Sequence, residues 1–198
     1  MTLRTRSAGS LKALSLCFAA ACAANSAPVA TRVELAPIDF YPLRAGSAWS
    51  YDVDTGEPSS TLAVTRVVAV DGTIVEVRTA NTIARYEVLP EGIRALPGDA
   101  WLIRAPVRRG ATWPAPGGRT AEVVSTEVAA EPAAGRFDGC AEVRELGGKL
   151  DLEVRTVYCP GVGPVSVTST MQSNVSDRVL TVSARLRGYT VSSRVSGP

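Results

Sequence analysis

The 198-residue chain contains no histidine. This absence excludes an imidazole base, a catalytic triad built on His and the usual His-bearing zinc site, while catalysis by carboxylates stays open in principle. Long apolar runs are missing too. The longest, Ala13–Ala21, has nine positions against the roughly twenty that a membrane-spanning helix needs, so no transmembrane span is expected. Aromatic residues make up 6% of the chain, too few for a carbohydrate-stacking platform. Helical periodicity is also lacking, and the best stretch, Ala129–Arg136, is interrupted by Pro132 and Gly135.

What the first thirty residues do contain is an export signal. Arg4, Arg6 and Lys12 form a positive region without acids, the short apolar run follows, and small residues come next. Ala19-Ala20-Ala21-Cys22 has the small residues and cysteine of a bacterial lipobox, although Ala19 stands where Leu is usual. Cleavage before Cys22 would make that cysteine the acylated first residue. Ala21-Cys22-Ala23 also suits ordinary signal peptidase, which would give simple secretion. Residues 1–21 are therefore read as a signal peptide, 22–38 as a flexible tether after the acylated cysteine, and 39–198 as a single domain. Ala23 lacks the Asp that retains such proteins at the inner membrane, so outer-membrane anchoring is expected, with a periplasmic or secreted protein as the alternative.

Loss of the leader changes the charge. Of 21 Lys+Arg, three lie in residues 1–21, leaving 18 against 19 Asp+Glu, a balance of minus one. No basic field remains for a nucleic acid, and no partner of that kind is expected. Cys140 and Cys159 are the remaining domain cysteines, and an exported chain points to a disulfide between them.

From Ser47 onward, Val, Thr, Ile and Tyr recur with period two between turn signals spaced eight to twelve residues apart. The expectation is an all-β domain of about ten antiparallel strands in meander order. Periodicity leaves curved sheet or half-barrel, barrel and sandwich open. In TLAVTRVVAV-DG-TIVEVRTA, a two-residue Asp71-Gly72 turn sets Val68 against Val75 and Val70 against Thr73 on a core face. A Gly148-Lys149 turn sets Arg144 against Glu153, Glu142 against Arg155 and Val143 against Val154. Cys140 then lies diagonal to Cys159, so a disulfide would need a local bend.

Few other motifs suggest chemistry. Asp52-Val-Asp54-Thr-Gly56-Glu57 has alternating oxygens and a glycine, but not the further ligands of a calcium loop, so no metal is expected. Gly161-Val-Gly163 lacks the helix that would cradle a phosphate. Asn174-Val-Ser176 matches a glycosylation acceptor, a coincidence in a chain with a bacterial-type leader. Arg104, Arg108, Arg109 and Arg119 cluster in sequence, where a solvated surface is a fuller account than an anionic partner.

One motif occurs twice. Pro42-Leu-Arg-Ala-Gly46-Ser-Ala-Trp49, with Tyr51 two further on, is echoed by Pro106-Val-Arg-Arg-Gly110-Ala-Thr-Trp113. In each, proline holds its predecessor extended, glycine suits a turn and Trp follows three residues later. Trp49 and Tyr51 share one strand face, whereas Pro114 bars Trp113 from a central strand and sends it to plug an end of the core. The echo is read as architecture, to be tested by burial of both rings.

The stretch DFYPLRAGSAWSYDV, Pro106–Trp113 and the late Pro160-Gly-Val-Gly-Pro-Val165 together resemble poorly characterised bacterial exported lipoproteins. Those carry a (F/Y)PLxxGxxWxY opening, a second PLxxGxxW and a PGVGxV segment. Val107 departs from that pattern. The resemblance implies an envelope address and a β fold, and brings no activity. The expected role is non-catalytic, either binding or structural, with no cofactor, a membrane contact through the N-terminal lipid, and an envelope protein or lipid as partner. Carriage of acyl chains on a concave sheet is the alternative, and a carboxylate hydrolase a more remote one.

Overall fold

The computed structural model describes residues 34–148, 152–172 and 179–192. The leader, Cys22, most of the tether, Lys149 and Asn174-Val-Ser176 lie outside these.

A four-residue helix, α1 (Pro37–Phe40), is the first element of the described chain and straddles the expected boundary between tether and domain. Proline at its first turn is preorganised for helix, and the Asp39 carboxylate accepts a hydrogen bond from the Ala36 amide. Twelve strands follow. The first six are β1 (Ala48–Asp54), β2 (Thr61–Asp71), β3 (Ile74–Thr79), β4 (Thr82–Leu89), β5 (Gly92–Leu96) and β6 (Trp101–Arg104). The second six are β7 (Thr112–Ala115), β8 (Arg119–Ala130), β9 (Phe137–Gly147), β10 (Leu152–Cys159), β11 (Gly163–Gln172) and β12 (Val179–Thr190). Twelve stand against the expected ten or so, and the one that sequence missed outright is β7, hidden in a Pro/Gly-rich stretch.

All twelve form one antiparallel sheet in the order β6-β5-β4-β3-β2-β1-β12-β11-β10-β9-β8-β7. The sheet curls into a nearly closed barrel, which decides among the three architectures left open by periodicity. Two six-stranded meanders thus meet along the β1–β12 ladder, while β6 and β7 face each other across an unpaired seam. Each meander begins with one copy of the echoed motif.

Two registers differ from expectation. The first hairpin turns at Gly72-Thr73, because Asp71 itself pairs with Ile74. Gly72 supplies the positive φ, +57°, at the first central position, as a type II′ turn requires. A bulge between Val67 and Ala69 then shifts the ladder by one residue. Val67, Val75 and Val77 are consequently buried, while Val68 and Val70 are exposed and do not form the expected core face. A bulge leaves no mark in hydrophobic alternation, since Val67 and Val68 are both β-branched.

In the β9–β10 hairpin the register is two residues from the expected one, with Arg144 opposite Arg155 and Val143 opposite Thr156. A shift of two preserves the inner face but changes every partner. Glu142 still bridges Arg155 at 2.9 Å, diagonally, and Arg144 turns to Glu122 on β8, also at 2.9 Å. The shift also moves the cysteines. Cys140 and Cys159 stand one step beyond the facing pair Ala141–Tyr158, with Cα atoms 4.2 Å apart, and are disulfide-bonded. The bond is therefore directly cross-strand, and the bend that a diagonal pairing would have required is not needed.

Inside the barrel, Trp49, Ile93, Ile103, Val123, Val143, Val165 and Leu186 are almost fully buried. Phe40, Tyr41 and Leu43 close one end, where β1 and β11 begin.

Candidate functional site

The echoed motif repeats in three dimensions almost atom for atom. In the first copy the Arg44 amide donates to the Pro42 carbonyl and the Ser47 amide to the Arg44 carbonyl, at 2.9 and 3.0 Å. In the second, Arg108 donates to Pro106 and Ala111 to Arg108, both at 3.0 Å. Gly46 and Gly110 take φ of +80° and +81°. The carbonyls of Ser47 and Ala111 then accept from Val67 and Val123, each at 2.9 Å, starting the next ladder. The copies differ in that the Ala105–Pro106 peptide is cis and the Tyr41–Pro42 peptide is not.

Both indoles are internal, Trp49 at 1% exposure and Trp113 at 3%. Trp49 Nε1 donates to the Val162 carbonyl at 2.6 Å, and Trp113 Nε1 to the Trp101 carbonyl at 3.1 Å. Trp113 sits on the edge strand β7 and bridges the seam to β6 by its side chain, where no ladder runs. Pro114 is tolerated there because an edge strand has a side that needs no donor. The late Pro160–Val165 segment receives the first copy. Besides Val162, the Pro164 carbonyl accepts from the Tyr51 hydroxyl at 2.9 Å, and the Gly161 amide donates to the Asp39 carbonyl at 2.7 Å. A Cβ on Gly163 would stand 2.9 Å from Trp49 Nε1, so only glycine admits the indole there. Two of the three sequence islands thus meet in one packed joint.

Above this joint lies a pocket of about 310 Å³. Its floor is Tyr41, wedged edge-on against Trp49 with ring centroids 5.2 Å apart. Its walls are inward-facing side chains of the sheet, among them Ala63, Val77, Ala84, Val167 and Ala184. It reaches the barrel mouth at Thr79 and Thr82, where Thr65 and Thr79 share a hydrogen bond at 2.8 Å. The wall on β11 and β12 continues past the pocket. Alternation carries the inner face from Ala184 to Val182 and Leu180, which are 41% and 52% exposed.

The pocket is polar at its two ends, with tyrosines inside and threonines at the mouth. Burial raises the pKa values of the Tyr41, Tyr51 and Tyr158 hydroxyls well above the ordinary range, and raises that of Tyr86 as well, which keeps all four protonated. Tyr51 has its carbonyl partner and Tyr158 bonds Thr156. Tyr41 and Tyr86 line the pocket, and their hydroxyls have no hydrogen-bond partner among the described residues. A separate inward pair, Arg119 and Glu145, meets at 2.9 Å with Glu145 buried. Burial raises the Glu145 pKa, and the Arg119 guanidinium opposes that shift without cancelling it. This displaced carboxyl has a guanidinium beside it and not the second carboxyl that a hydrolase pair would require.

The remaining motifs have structural partners. Asp54 accepts from the Gly56 amide at 2.8 Å and Asp52 pairs with Arg187 at 3.1 Å, the ordinary bonds of a strand end. Among the described residues no cluster of His, Cys, Asp and Glu is arranged to hold a metal. Arg104 lies over the Trp101 ring at 5.1 Å, Arg119 points inward to Glu145, and Arg108 and Arg109 are exposed, so the four arginines do not converge. Sequence reasoning missed Tyr41 and Tyr86. Tyr41 precedes the first motif directly, and Tyr86 lies on the alternation of β4, but neither position reveals that its hydroxyl is unpartnered.

These features define a class, a single-sheet antiparallel β-barrel with a pocket in its mouth, one of the common sites for small ligands. No known protein family matches the chain, and no curated protein does. Two solved structures are similar. A presumed exported protein of Bacteroides fragilis, described as having a YmcC-like fold, is 14% identical, with 74% of this chain and 96% of that one covered and a TM-score of 0.46. A presumed lipoprotein of Parabacteroides distasonis is 13% identical, with 76% and 98% covered and a TM-score of 0.46.

Proposed function

We propose that this is an exported protein of the bacterial envelope, anchored through a lipid on Cys22, with a non-catalytic binding role centred on the barrel-mouth pocket. The observation that carries the reading is the pocket itself, about 310 Å³ with mainly apolar walls. That is the lower end of the range for small-ligand sites, which bury most of an apolar ligand and fix it through a few polar groups. A protein with a purely structural role would gain dispersion and burial by filling that space. Carriage of an acyl chain is the second reading, favoured by the aliphatic row Ala184, Val182 and Leu180 leading out of the pocket.

The test is native mass spectrometry of the protein isolated from its own membranes, beside an Ala84→Phe variant that fills the pocket. A bound small molecule in the wild type and its loss in the variant are expected. An empty wild-type pocket, or a molecule retained equally by both, would remove the reading.

A further inference from the structure

The binding reading leaves open which end of a ligand goes in first. We propose that the ligand is a neutral amphiphile that enters head first, placing an uncharged oxygen acceptor such as a ketone or ester carbonyl on the Tyr41 and Tyr86 hydroxyls while its aliphatic tail runs out over Val182 and Leu180. This rests on the pocket being a binding site and adds the ligand's chemistry and direction.

Three observations set the direction. Tyr41 is 7% exposed, lines the pocket floor and has no hydrogen-bond partner for its hydroxyl among the described residues. The hydroxyl is not sealed in the core but opens into the pocket, where a donor shielded from bulk water favours an acceptor. The walls between floor and mouth, including Ala63, Val77, Ala84 and Val167, offer a tail no polar competition. Outside, the inner face of β12 continues as exposed Val182 and Leu180, side chains suited to a tail and not to a polar head. A tail-first ligand would leave the tyrosine donors unpaired and bring its head to the mouth, where the Thr65 and Thr79 hydroxyls already bond each other and the adjoining surface is aliphatic.

Neutrality follows from the charges present. Among the described residues no Lys or Arg lines the pocket. The inward guanidinium of Arg119 is already held by Glu145. A carboxylate or phosphate head would therefore be stripped of water with no counter-charge, whereas protonated tyrosine hydroxyls suit a carbonyl oxygen.

The test is equilibrium dialysis of the purified chain with three probes of matched length, 2-undecanone, n-undecane and undecanoate at neutral pH. The ketone is expected to bind about tenfold more tightly than the alkane, and undecanoate more weakly than the ketone. Tyr41→Phe, which keeps the ring against Trp49, should erase the ketone's advantage and leave alkane affinity unchanged. Val182→Asn should weaken ketone and alkane together. If the Tyr41 variant does not fold by circular dichroism, Tyr86→Phe replaces it with a reduced advantage expected. Equal binding of ketone and alkane to the wild type, a preference surviving the tyrosine variant, or undecanoate binding best would overturn the head-first inference while leaving the pocket a binding site. Failure of all three probes would overturn the binding reading and this inference together.

Discussion

Replacing Trp49 by Phe tests whether the echoed motif is architecture. The indole is 1% exposed, and its Nε1 donates to the Val162 carbonyl at 2.6 Å. Phe keeps the six-membered ring beside Tyr41 but removes the donor and part of the volume. Leaving a buried acceptor unpaired costs about 1–3 kcal/mol. Trimming the ring adds about 1 kcal/mol, a fraction of the 3–5 kcal/mol of a full Trp→Ala change. The expected loss is about 3 kcal/mol, which in a domain of this size lowers Tm by about 6–12 °C. Trp113→Phe should cost less, about 1–2 kcal/mol, because its bond to the Trp101 carbonyl is longer, 3.1 Å, and lies at an unpaired seam. The assay is urea and thermal unfolding followed by far-UV circular dichroism, with the urea m value unchanged so that the shift reports stability. A Trp49 variant within ~0.5 kcal/mol of wild type, or the reverse order of the two variants, would refute the reasoning.

Four further outcomes are expected. Removing the disulfide as Cys140→Ala with Cys159→Ala, whose sequence separation is 19, should lower stability by about 3 kcal/mol in the chain-entropy picture, read from urea midpoints. Ala80, at φ +50° in the β3–β4 turn, is strained for a residue with a Cβ, so Ala80→Gly should raise stability by about 0.5–1 kcal/mol; a lowered midpoint would count against that conformation. Glu145 has a folded-state pKa raised by burial, so the native protein holds that proton more tightly than the unfolded chain. Its stabilisation is complete below the unfolded pKa and declines as pH rises through the folded one; the stability of wild type minus Glu145→Gln should fall across that window, and a rise would contradict the assignment. Metabolic labelling with a fatty-acid probe should mark the wild type and not Cys22→Ser, and equal labelling would remove the anchor.

Strand identity was legible in the sequence because period-two alternation and turn residues act locally. Gly46 and Gly110, Trp49 and Trp113, and the Pro160–Val165 segment could all be singled out as architecture without coordinates. Register was less legible. The Gly72-Thr73 turn, the bulge at Val68 and the two-residue shift at Arg144–Arg155 preserve or barely disturb the alternation, so several pairings satisfy the same pattern. Strand β7 was missed because four residues containing Pro114 carry too weak a signal, and what stabilises it is its ladder with β8 together with the seam bond from Trp113 to β6, contacts that arise only in the assembled sheet.

The sequence by itself determined an all-β chain of antiparallel strands with two matched motif copies, and raised the expectation of an export signal and an anchor at Cys22, since each of these rests on residue type and near-neighbour spacing. Only the tertiary structure decided that the sheet nearly closes, that Cys140 faces Cys159 directly, and that Tyr41 and Tyr86 line one pocket with hydroxyls that have no partner among the described residues. The physical reason is that curvature and register are set by the summed packing of distant strands, and an unpaired hydroxyl is defined by what does not reach it across the barrel.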